Sequence, residues 1–346
     1  MIPAAPFDAL QQLAEARSSA RHAGEYMSEI QTLLAQELPQ VEATLSAATT
    51  GPVPVEQSAA QLVMAGGKRV RPMSALLVER VCGGRGPSGV ALAAAIELIH
   101  SATLLHDDVM DEGEERRGRP ASRVLWGNLV SVLSGDLLLT SALTLVQRSD
   151  VPGAMDDTLA AMRRLIEGEV AQLKARGRDD LGIDGYLEIA RGKTASLFAC
   201  ACRFGARSAG AGPELIEAAG RFGEGVGIAF QIVDDVLDLE GVPHEVGKRL
   251  GHDLAEGKTT LPLALALANP AARDELRPLL VDARAGDTVA AAKVARAPRV
   301  REACAEARSF ALRETERGLE QLAALPAGRE RDLLEALVKG LIQRRA

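Results

Sequence analysis

The chain has 346 residues, of which 47% are hydrophobic, 25% are charged and only 3% are aromatic, and its formal net charge at pH 7 is −7. This length allows one large core or two domains, and the negative charge argues against nucleic acid as a partner. The four cysteines have neither CxxC nor zinc-ligand spacing, which predicts reduced thiols in a cytoplasmic protein.

Apolar residues recur at helical spacing over long stretches, and runs of alternating polar and apolar residues are not seen. This pattern predicts an all-α protein. We expect residues 1–25 to form a poorly ordered N-terminal arm and residues 26–346 to form a single helical domain. We find no signal peptide and no apolar run of about 18 residues, so we expect a soluble protein with at most peripheral membrane contact.

The first polar motif is Gly66-Gly67-Lys68-Arg69-Val70-Arg71-Pro72, which precedes an apolar helix. Paired glycines let the backbone approach a ligand closely, and arginine and lysine side chains bind phosphate oxygens. Cations at a helix start oppose the helix dipole, so other charges should offset them. The motif therefore predicts an anion site, with a solvated basic helix start as the alternative.

An apolar helix predicted over Val90 to Asp111 ends in acidic residues. Asp107 and Asp111 are four residues apart, so both carboxylates project from one helix face, where they repel each other unless a cation lies between them. Hard oxygen ligands of this kind suit Mg²⁺. His100 lies two turns earlier on the same face. An acidic helix end in solvent, with a core histidine, is the alternative.

A second acidic motif contains Asp234, Asp235 and Asp238, and it also follows an apolar run. Two such helices facing each other across a cavity could hold a cluster of Mg²⁺ ions, and such a cluster requires a highly charged anion such as a diphosphate. Lys193 lies within another apolar helix, where a buried ammonium group needs an anion. The loop over 247–262 is long enough to close over such a site.

Taken together, six motifs resemble those of the trans-isoprenyl diphosphate synthases, or polyprenyl synthetases, over about residues 26–346. They are GGKRVRP at 66–72, IHSATLLHDDVMD at 99–111, RRGRP at 116–120, RGKTASLF at 191–198, GIAFQIVDDVLD at 227–238 and GKRLGHDLAEGKTTLP at 247–262. The resemblance implies the isoprenoid synthase fold, in which antiparallel helices surround a central cavity, and a homodimer.

The resemblance also implies roles for individual residues. Those expected to bind isopentenyl diphosphate are Lys68, Arg71, His100 and Arg117. Those expected to bind the allylic diphosphate are Arg116, Lys193, Thr194, Gln231, Lys248 and Lys258. The expected Mg²⁺ ligands are Asp107, Asp111 and Asp234, and Asp108, Asp235 and Lys193 are counted with the catalytic residues.

The reaction implied is the condensation of isopentenyl diphosphate with an allylic diphosphate, such as farnesyl or geranyl diphosphate. Mg²⁺ and the cations make the diphosphate a better leaving group, and an apolar cavity shields the allylic cation from water. We find no carboxylate that is not already expected to bind metal and that could accept the final proton. We therefore expect the released pyrophosphate to accept it. A class I terpene cyclase and a non-catalytic synthase subunit are the alternatives.

Product length is predicted from the residues before the first acidic motif. Ala102 and Thr103 are small, whereas a bulky aromatic residue at the position of Ala102 closes the pocket in short-chain members of the family. The helix from Val90 to Asp111 carries no aromatic side chain. We therefore expect an all-trans medium- or long-chain product, as made by octaprenyl diphosphate synthases, with geranylgeranyl diphosphate as the alternative.

Overall fold

The computed structural model describes residues 26–240 and 251–342, and this part of the chain is all-α apart from one short hairpin, as predicted. The helices are, in chain order, α1 (Glu37–Thr49), α2 (Pro54–Met64), α3 (Val70–Val81), α4 (Pro87–Met110), α5 (Ser122–Arg148), α6 (Ala154–Ala175), α7 (Gly182–Ala190), α8 (Ser196–Ser208), α9 (Pro213–Glu240), α10 (His252–Ala255), α11 (Leu261–Leu267), α12 (Pro270–Arg284), α13 (Thr288–Arg296), α14 (Pro298–Leu322) and α15 (Arg329–Ile342). Strands β1 (Glu115–Arg116) and β2 (Arg119–Pro120) pair antiparallel.

The helices α4 and α9, which carry the two acidic motifs, lie in the core. Helix α4 begins at Pro87, whose fixed φ suits a first helical turn, and is buried over Leu92–Ile99. It packs against α3, α5 and α8, while α9 packs against α8 and α14. Because α8 contacts both acidic helices, it helps to fix their separation.

A close helix crossing positions the lysine motif. A π-helical turn, Arg191–Ala195, joins α7 to α8 and packs against α6. A Cβ atom on Gly168 would lie 2.6 Å from the backbone nitrogen of Lys193, and one on Gly192 would lie 2.8 Å from the carbonyl oxygen of Arg164. Only glycine allows the two backbones to approach this closely. The extra residue of a π-turn changes the direction of the side chains that follow, and such turns often occur at functional sites.

Two carboxylates neutralise positive charge at the start of α3, as the sequence analysis expected. Arg69 precedes α3 in the left-handed region, with φ at 47°. Its Nε donates to Glu42 at 2.7 Å, and its Nη1 donates to Glu97 at 2.9 Å. Arg69 therefore connects α3 to α1 and α4, and its charge serves the packing of these helices.

Two helices, α4 and α5, are long and apolar enough to cross a membrane by length and composition alone. The most apolar segment of α4 is 72% buried, as expected of a core helix, whereas that of α5 is only 33% buried. Helices α5 and α6 together expose a set of large apolar side chains, which we call the α5–α6 face. Its members are Val124, Leu125, Leu129, Val132, Leu133, Leu159, Ile166, Val170 and Leu173.

Candidate active site

A cavity of about 700 Å³ lies between the ends of α4 and α9, and most of the predicted site residues line it. These are Lys68, Arg71, His100, Thr103, Asp107, Asp111, Arg116, Lys193, Thr194, Gln231, Asp234, Asp235 and Lys258. Motifs that are far apart in sequence therefore meet at one cavity. Lys248 lies outside the described residues.

One wall carries the carboxylates of Asp107 and Asp111 from the end of α4. Burial raises the pKa of Asp107 to about 6; Lys193 opposes this rise, and the negative charges of Glu169 and Asp111 add to it. The Nζ atom of Lys258 lies 3.6 Å from Asp111 Oδ2. The raised pKa shows that the protein partners of Asp107 do not offset the burial of its carboxylate and the nearby negative charges, as a cation bound there would.

The facing wall carries Asp234 and Asp238 from the end of α9. Within residues 26–240 and 251–342, no three acidic, histidine or cysteine side chains converge closely enough to form a complete metal site. Each wall can instead offer one or two carboxylate oxygens, and Mg²⁺ accepts few protein ligands when phosphate oxygens and water supply the rest. The donor set therefore fits Mg²⁺ ions held between the protein and a diphosphate.

The other end of the cavity is cationic and is formed by Lys68, Arg71 and His100. Burial lowers the pKa of Arg71, whose guanidinium lies 4.5 Å from the ring centroid of Phe198 and whose Nε has no hydrogen-bond partner among the described residues. Burial and the nearby arginines lower the pKa of His100 well below its usual value, so the imidazole is neutral at pH 7. A buried guanidinium without a full set of partners indicates an anion site.

Lys193 is held by side chains to which the sequence analysis assigned no role. Its Nζ donates to Glu169 Oε1 at 2.5 Å and to Gln172 Oε1 at 2.9 Å, and lies 3.7 Å from Asp107 Oδ2. Glu169 also lines the cavity, so a carboxylate outside the two acidic motifs is present there. The signal that could have identified it is the spacing of Glu169 and Gln172, which places two polar groups on one face of an amphipathic helix.

Two further side chains without an assigned role touch the acidic motifs. Arg176, just after α6, forms an ion pair with Asp111. The hydroxyl of Tyr186 donates to Asp235 at 2.6 Å. Burial and Asp253 raise the pKa of Asp235 well above its usual range, and the hydrogen bonds from Tyr186 and Gln231 oppose that rise. Nothing in the local sequence pairs these residues, since each contact joins different helices or loops.

The structure corrects the predicted role of Asp108. Its carboxylate is 1% exposed and does not line the cavity, and its Oδ1 accepts hydrogen bonds from Arg116 Nε at 2.9 Å and Nη2 at 2.5 Å. Adjacent residues of a helix point about 100° apart, and here Asp107 faces the cavity while Asp108 faces Arg116. In this structure Asp108 therefore holds Arg116, which itself lines the cavity.

Arg117 and Ala102 also lie away from the cavity lining. Arg117 Nη1 donates to the carbonyl oxygens of Leu62, at 3.0 Å, and Gly66, so it supports the glycine turn. Ala102, predicted to face the growing product, is fully buried in the core. Thr103, four residues before Asp107 and thus on its helix face, lines the cavity instead.

We expect Asp107→Asn to stabilise the metal-free protein at neutral pH. The pKa of Asp107 is about 6 in the folded protein and about 4 in the unfolded chain. Below about pH 4 the carboxyl group is protonated in both states and does not destabilise the fold. As pH rises through about 6 the folded protein must bury a charged carboxylate, so stability is lost. At pH 7.5 the substitution should therefore raise the free energy of unfolding by on the order of 2 kcal/mol, and the gain should shrink toward pH 4.

Thermal unfolding in EDTA between pH 4 and pH 7.5 measures this difference. Asp274→Asn, which removes an exposed carboxylate outside the cavity, is the matched control and should show no such pH dependence. A melting temperature for Asp107→Asn that is equal to or below that of the wild type at pH 7.5 would contradict the assignment of Asp107 to a repulsive, cation-binding wall.

Known proteins share this sequence and architecture. Residues 53–296 match the model of the family described as polyprenyl synthetase. The chain is 40% identical to the all-trans-nonaprenyl-diphosphate synthase (geranyl-diphosphate specific) of Rhodobacter capsulatus, over 82% of this chain and 87% of that protein. It is also 40% identical to a short chain isoprenyl diphosphate synthase of Methanothermobacter thermautotrophicus, over 62% of this chain and 68% of that protein.

A solved structure agrees with this relationship. The polyprenyl synthase of Caulobacter crescentus CB15, complexed with calcium and isoprenyl diphosphate, superposes with a TM-score of 0.86 at 36% identity, over 92% of this chain and 98% of that one. These matches confirm the predicted isoprenoid synthase fold. They also confirm the predicted enzyme class, a trans-prenyl diphosphate synthase. The chain belongs to the polyprenyl synthetase family.

Proposed function

We propose that the enzyme condenses isopentenyl diphosphate with an allylic diphosphate in this cavity and that it requires Mg²⁺. The observation that carries the proposal is the chemical difference between the two ends of one cavity. One end offers the cations Lys68 and Arg71 with neutral His100, and the other offers carboxylates for metal ions beside Lys193. The diphosphate that leaves the allylic substrate and the diphosphate that stays on isopentenyl diphosphate would bind at these two different ends.

The allylic diphosphate is assigned to the acidic end. Asp107, Asp111 and Asp234 would hold Mg²⁺, which when bound neutralises the leaving diphosphate and favours its departure. Lys193 and Lys258 supply point charges at this end. The relative from Caulobacter crescentus, which binds a divalent cation together with an isoprenyl diphosphate, supports the pairing of metal and diphosphate.

Isopentenyl diphosphate is assigned to the cationic end, where no metal is needed because arginine and lysine meet the phosphate directly. Between the two ends the lining includes Leu104, Leu165, Leu197 and Phe230, which exclude water from an allylic cation. The double bond of isopentenyl diphosphate attacks this cation, and a proton is then lost. We assign that proton to the released pyrophosphate, because Glu169 is already engaged by Lys193.

A terpene cyclase is the main alternative and needs only one diphosphate site. The cationic end argues against it, because a second diphosphate is what Lys68 and Arg71 can bind. Incubation with isopentenyl diphosphate and with farnesyl or geranyl diphosphate separates the two activities. Pyrophosphate release that requires both substrates supports the synthase, and release from the allylic substrate alone would overturn it.

We expect Lys68→Ala to raise the KM for isopentenyl diphosphate while changing the KM for the allylic substrate little. Lys68 is exposed at the cavity, so its removal should leave the fold intact. Loss of a charged hydrogen bond costs about 1.5–3 kcal/mol, or roughly ten- to hundredfold in affinity. Lys293→Ala, on an exposed position of α13 outside the cavity, is the control. Equal effects on both substrates would mean that the two diphosphates are assigned to the wrong ends.

We also propose a medium- or long-chain all-trans product. Relatives of equal identity carry long-chain and short-chain names, so sequence identity does not decide product length. The cavity supports the longer product, because Thr103 is the lining residue one turn before Asp107 and α4 carries no aromatic side chain that could close the cavity. Geranylgeranyl diphosphate remains the alternative product.

Thr103→Tyr should shorten the product. A tyrosine ring at this lining position lies one helical turn, ~5.4 Å, from Asp107, close to the length of one isoprene unit. Elongation should therefore stop after fewer condensations than in the wild type. Chromatography of dephosphorylated products at one fixed substrate ratio measures the change. Thr288→Tyr, at an exposed position outside the cavity, is the control. An unchanged product ladder from folded, active Thr103→Tyr would remove the support for length control at this wall.

We propose further that the α5–α6 face joins two copies of this chain in a homodimer in the cytoplasm. On α5 the exposed residues Leu129, Val132 and Leu133 follow helical spacing beyond Gly127, whose non-helical backbone kinks the helix, so these three form one stripe. Apolar patches of this size on a protein surface mark interaction sites. A second copy is favoured over a membrane because the stripe continues onto a second helix, α6, which suits helix packing between like subunits.

Leu129→Glu should convert the dimer into a monomer, because Leu129 has 73% of its surface exposed in the single chain and would be buried in the dimer. Sedimentation equilibrium of the wild type and the variant measures the mass. Leu312→Glu, at an exposed leucine of α14 outside this face, should leave the dimer intact. A monomeric wild type, or association only with vesicles or with a different subunit, would contradict the homodimer.

A further inference from the structure

A chain of hydrogen bonds links a buried tyrosine to the allylic end of the cavity. The hydroxyl of Tyr186 donates to Asp235 Oδ2 at 2.6 Å, and the side-chain amide of Gln231 donates to Asp235 Oδ1 at 2.7 Å. The hydroxyl of Thr194 in turn donates to Gln231 Oε1 at 2.5 Å. Three elements are thus joined side chain to side chain: α7, the π-helical turn and α9.

Tyr186 lies behind the site rather than in it. Its side chain is 5% exposed and does not line the main cavity, whereas Thr194, Gln231 and Asp235 do. Burial and the neighbouring Asp235 raise the pKa of the tyrosine well above its usual value, so the hydroxyl keeps its proton and acts as the donor. Tyr186 lines only a small pocket that adjoins the allylic end of the cavity, and from there it can fix a residue that lines the cavity itself.

The amide of Gln231 can adopt two orientations, and its two partners select one of them. Asp235 accepts the hydrogen bond from the amide nitrogen, and Thr194 donates to the amide oxygen. One N–H of Gln231 then remains for a ligand in the cavity, where an anion requires donors. If Asp235 turned away, the amide could rotate and present its oxygen to the anion instead.

We propose that Tyr186 is a positioning residue for the allylic diphosphate, acting through Asp235 to fix the amide orientation of Gln231. Asp235 is 3% exposed, so each of its oxygens needs a donor, and Tyr186 supplies the donor for Oδ2. The inference rests on the proposed assignment of the allylic diphosphate to this end of the cavity. It also assigns Asp235 the role of an acceptor that orients Gln231.

Tyr186→Phe tests the proposal, because it removes the hydroxyl and keeps the ring. We expect the KM for the allylic diphosphate to rise about three- to tenfold, with the KM for isopentenyl diphosphate unchanged. The dissociation constant of a non-ionising thiolo analogue of farnesyl diphosphate, measured by calorimetry, should rise by the same factor. Tyr26→Phe, the same change at the other tyrosine of the chain, is the matched control and should change neither value.

A double-mutant cycle with Gln231→Ala distinguishes positioning from a general loss of stability. If Tyr186 acts through the amide of Gln231, adding Tyr186→Phe to Gln231→Ala should not raise the allylic KM further. Additive effects would overturn the proposal, and so would a Tyr186→Phe enzyme with wild-type constants. If Gln231→Ala leaves the allylic KM unchanged, the assignment of this end to the allylic substrate fails as well.

A second variant covers the case in which Tyr186→Phe does not fold. Asp235→Leu keeps roughly the size of the side chain but removes both acceptor oxygens, so the amide nitrogen of Gln231 loses the partner that fixes its orientation. The allylic KM should then rise as it does in Tyr186→Phe. An unchanged allylic KM in folded Asp235→Leu would overturn the proposal.

Discussion

The structure depends above all on how charged side chains are compensated inside an apolar helical frame. A charge removed from water is costly unless an opposite charge or several hydrogen bonds accompany it. Arg69 meets Glu42 and Glu97, and Asp108 meets Arg116, so these groups are compensated within the protein. Two groups at the cavity are compensated less completely, because burial raises the pKa of Asp107 and lowers that of Arg71, which disfavours the charged form of each.

The incompletely compensated groups fall into two sets. The Nε of Arg71, at the cationic end, has no hydrogen-bond partner within residues 26–240 and 251–342, and the pKa of Asp107, at the acidic end, is raised. An anion would complete the first set directly, whereas the second requires cations before it can accept an anion. One cavity therefore offers two chemically different environments for an anion, one that can accept it directly and one that needs metal ions first.

Close packing of the helices makes this arrangement possible. Gly168 and Gly192 let α6 contact the π-helical turn, and that contact brings Glu169 to the ammonium group of Lys193. Tyr186 then adds a second support from α7, through the carboxylate of Asp235. Side chains that line the cavity are thus held by contacts with neighbouring helices, which is how a site built from several helices keeps a defined geometry.

The sequence by itself determined the all-α fold, the family and most of the cavity lining, because these depend on helical periodicity and on motifs whose residues are adjacent in the chain. Thus the spacing of Asp107 and Asp111 was enough to place both on one wall. Only the tertiary structure decided which contacts Asp108, Glu169 and Tyr186 make and that Ala102 lies in the core. Their partners come from other helices, and the direction of one side chain relative to another helix is set by packing, which no local spacing encodes.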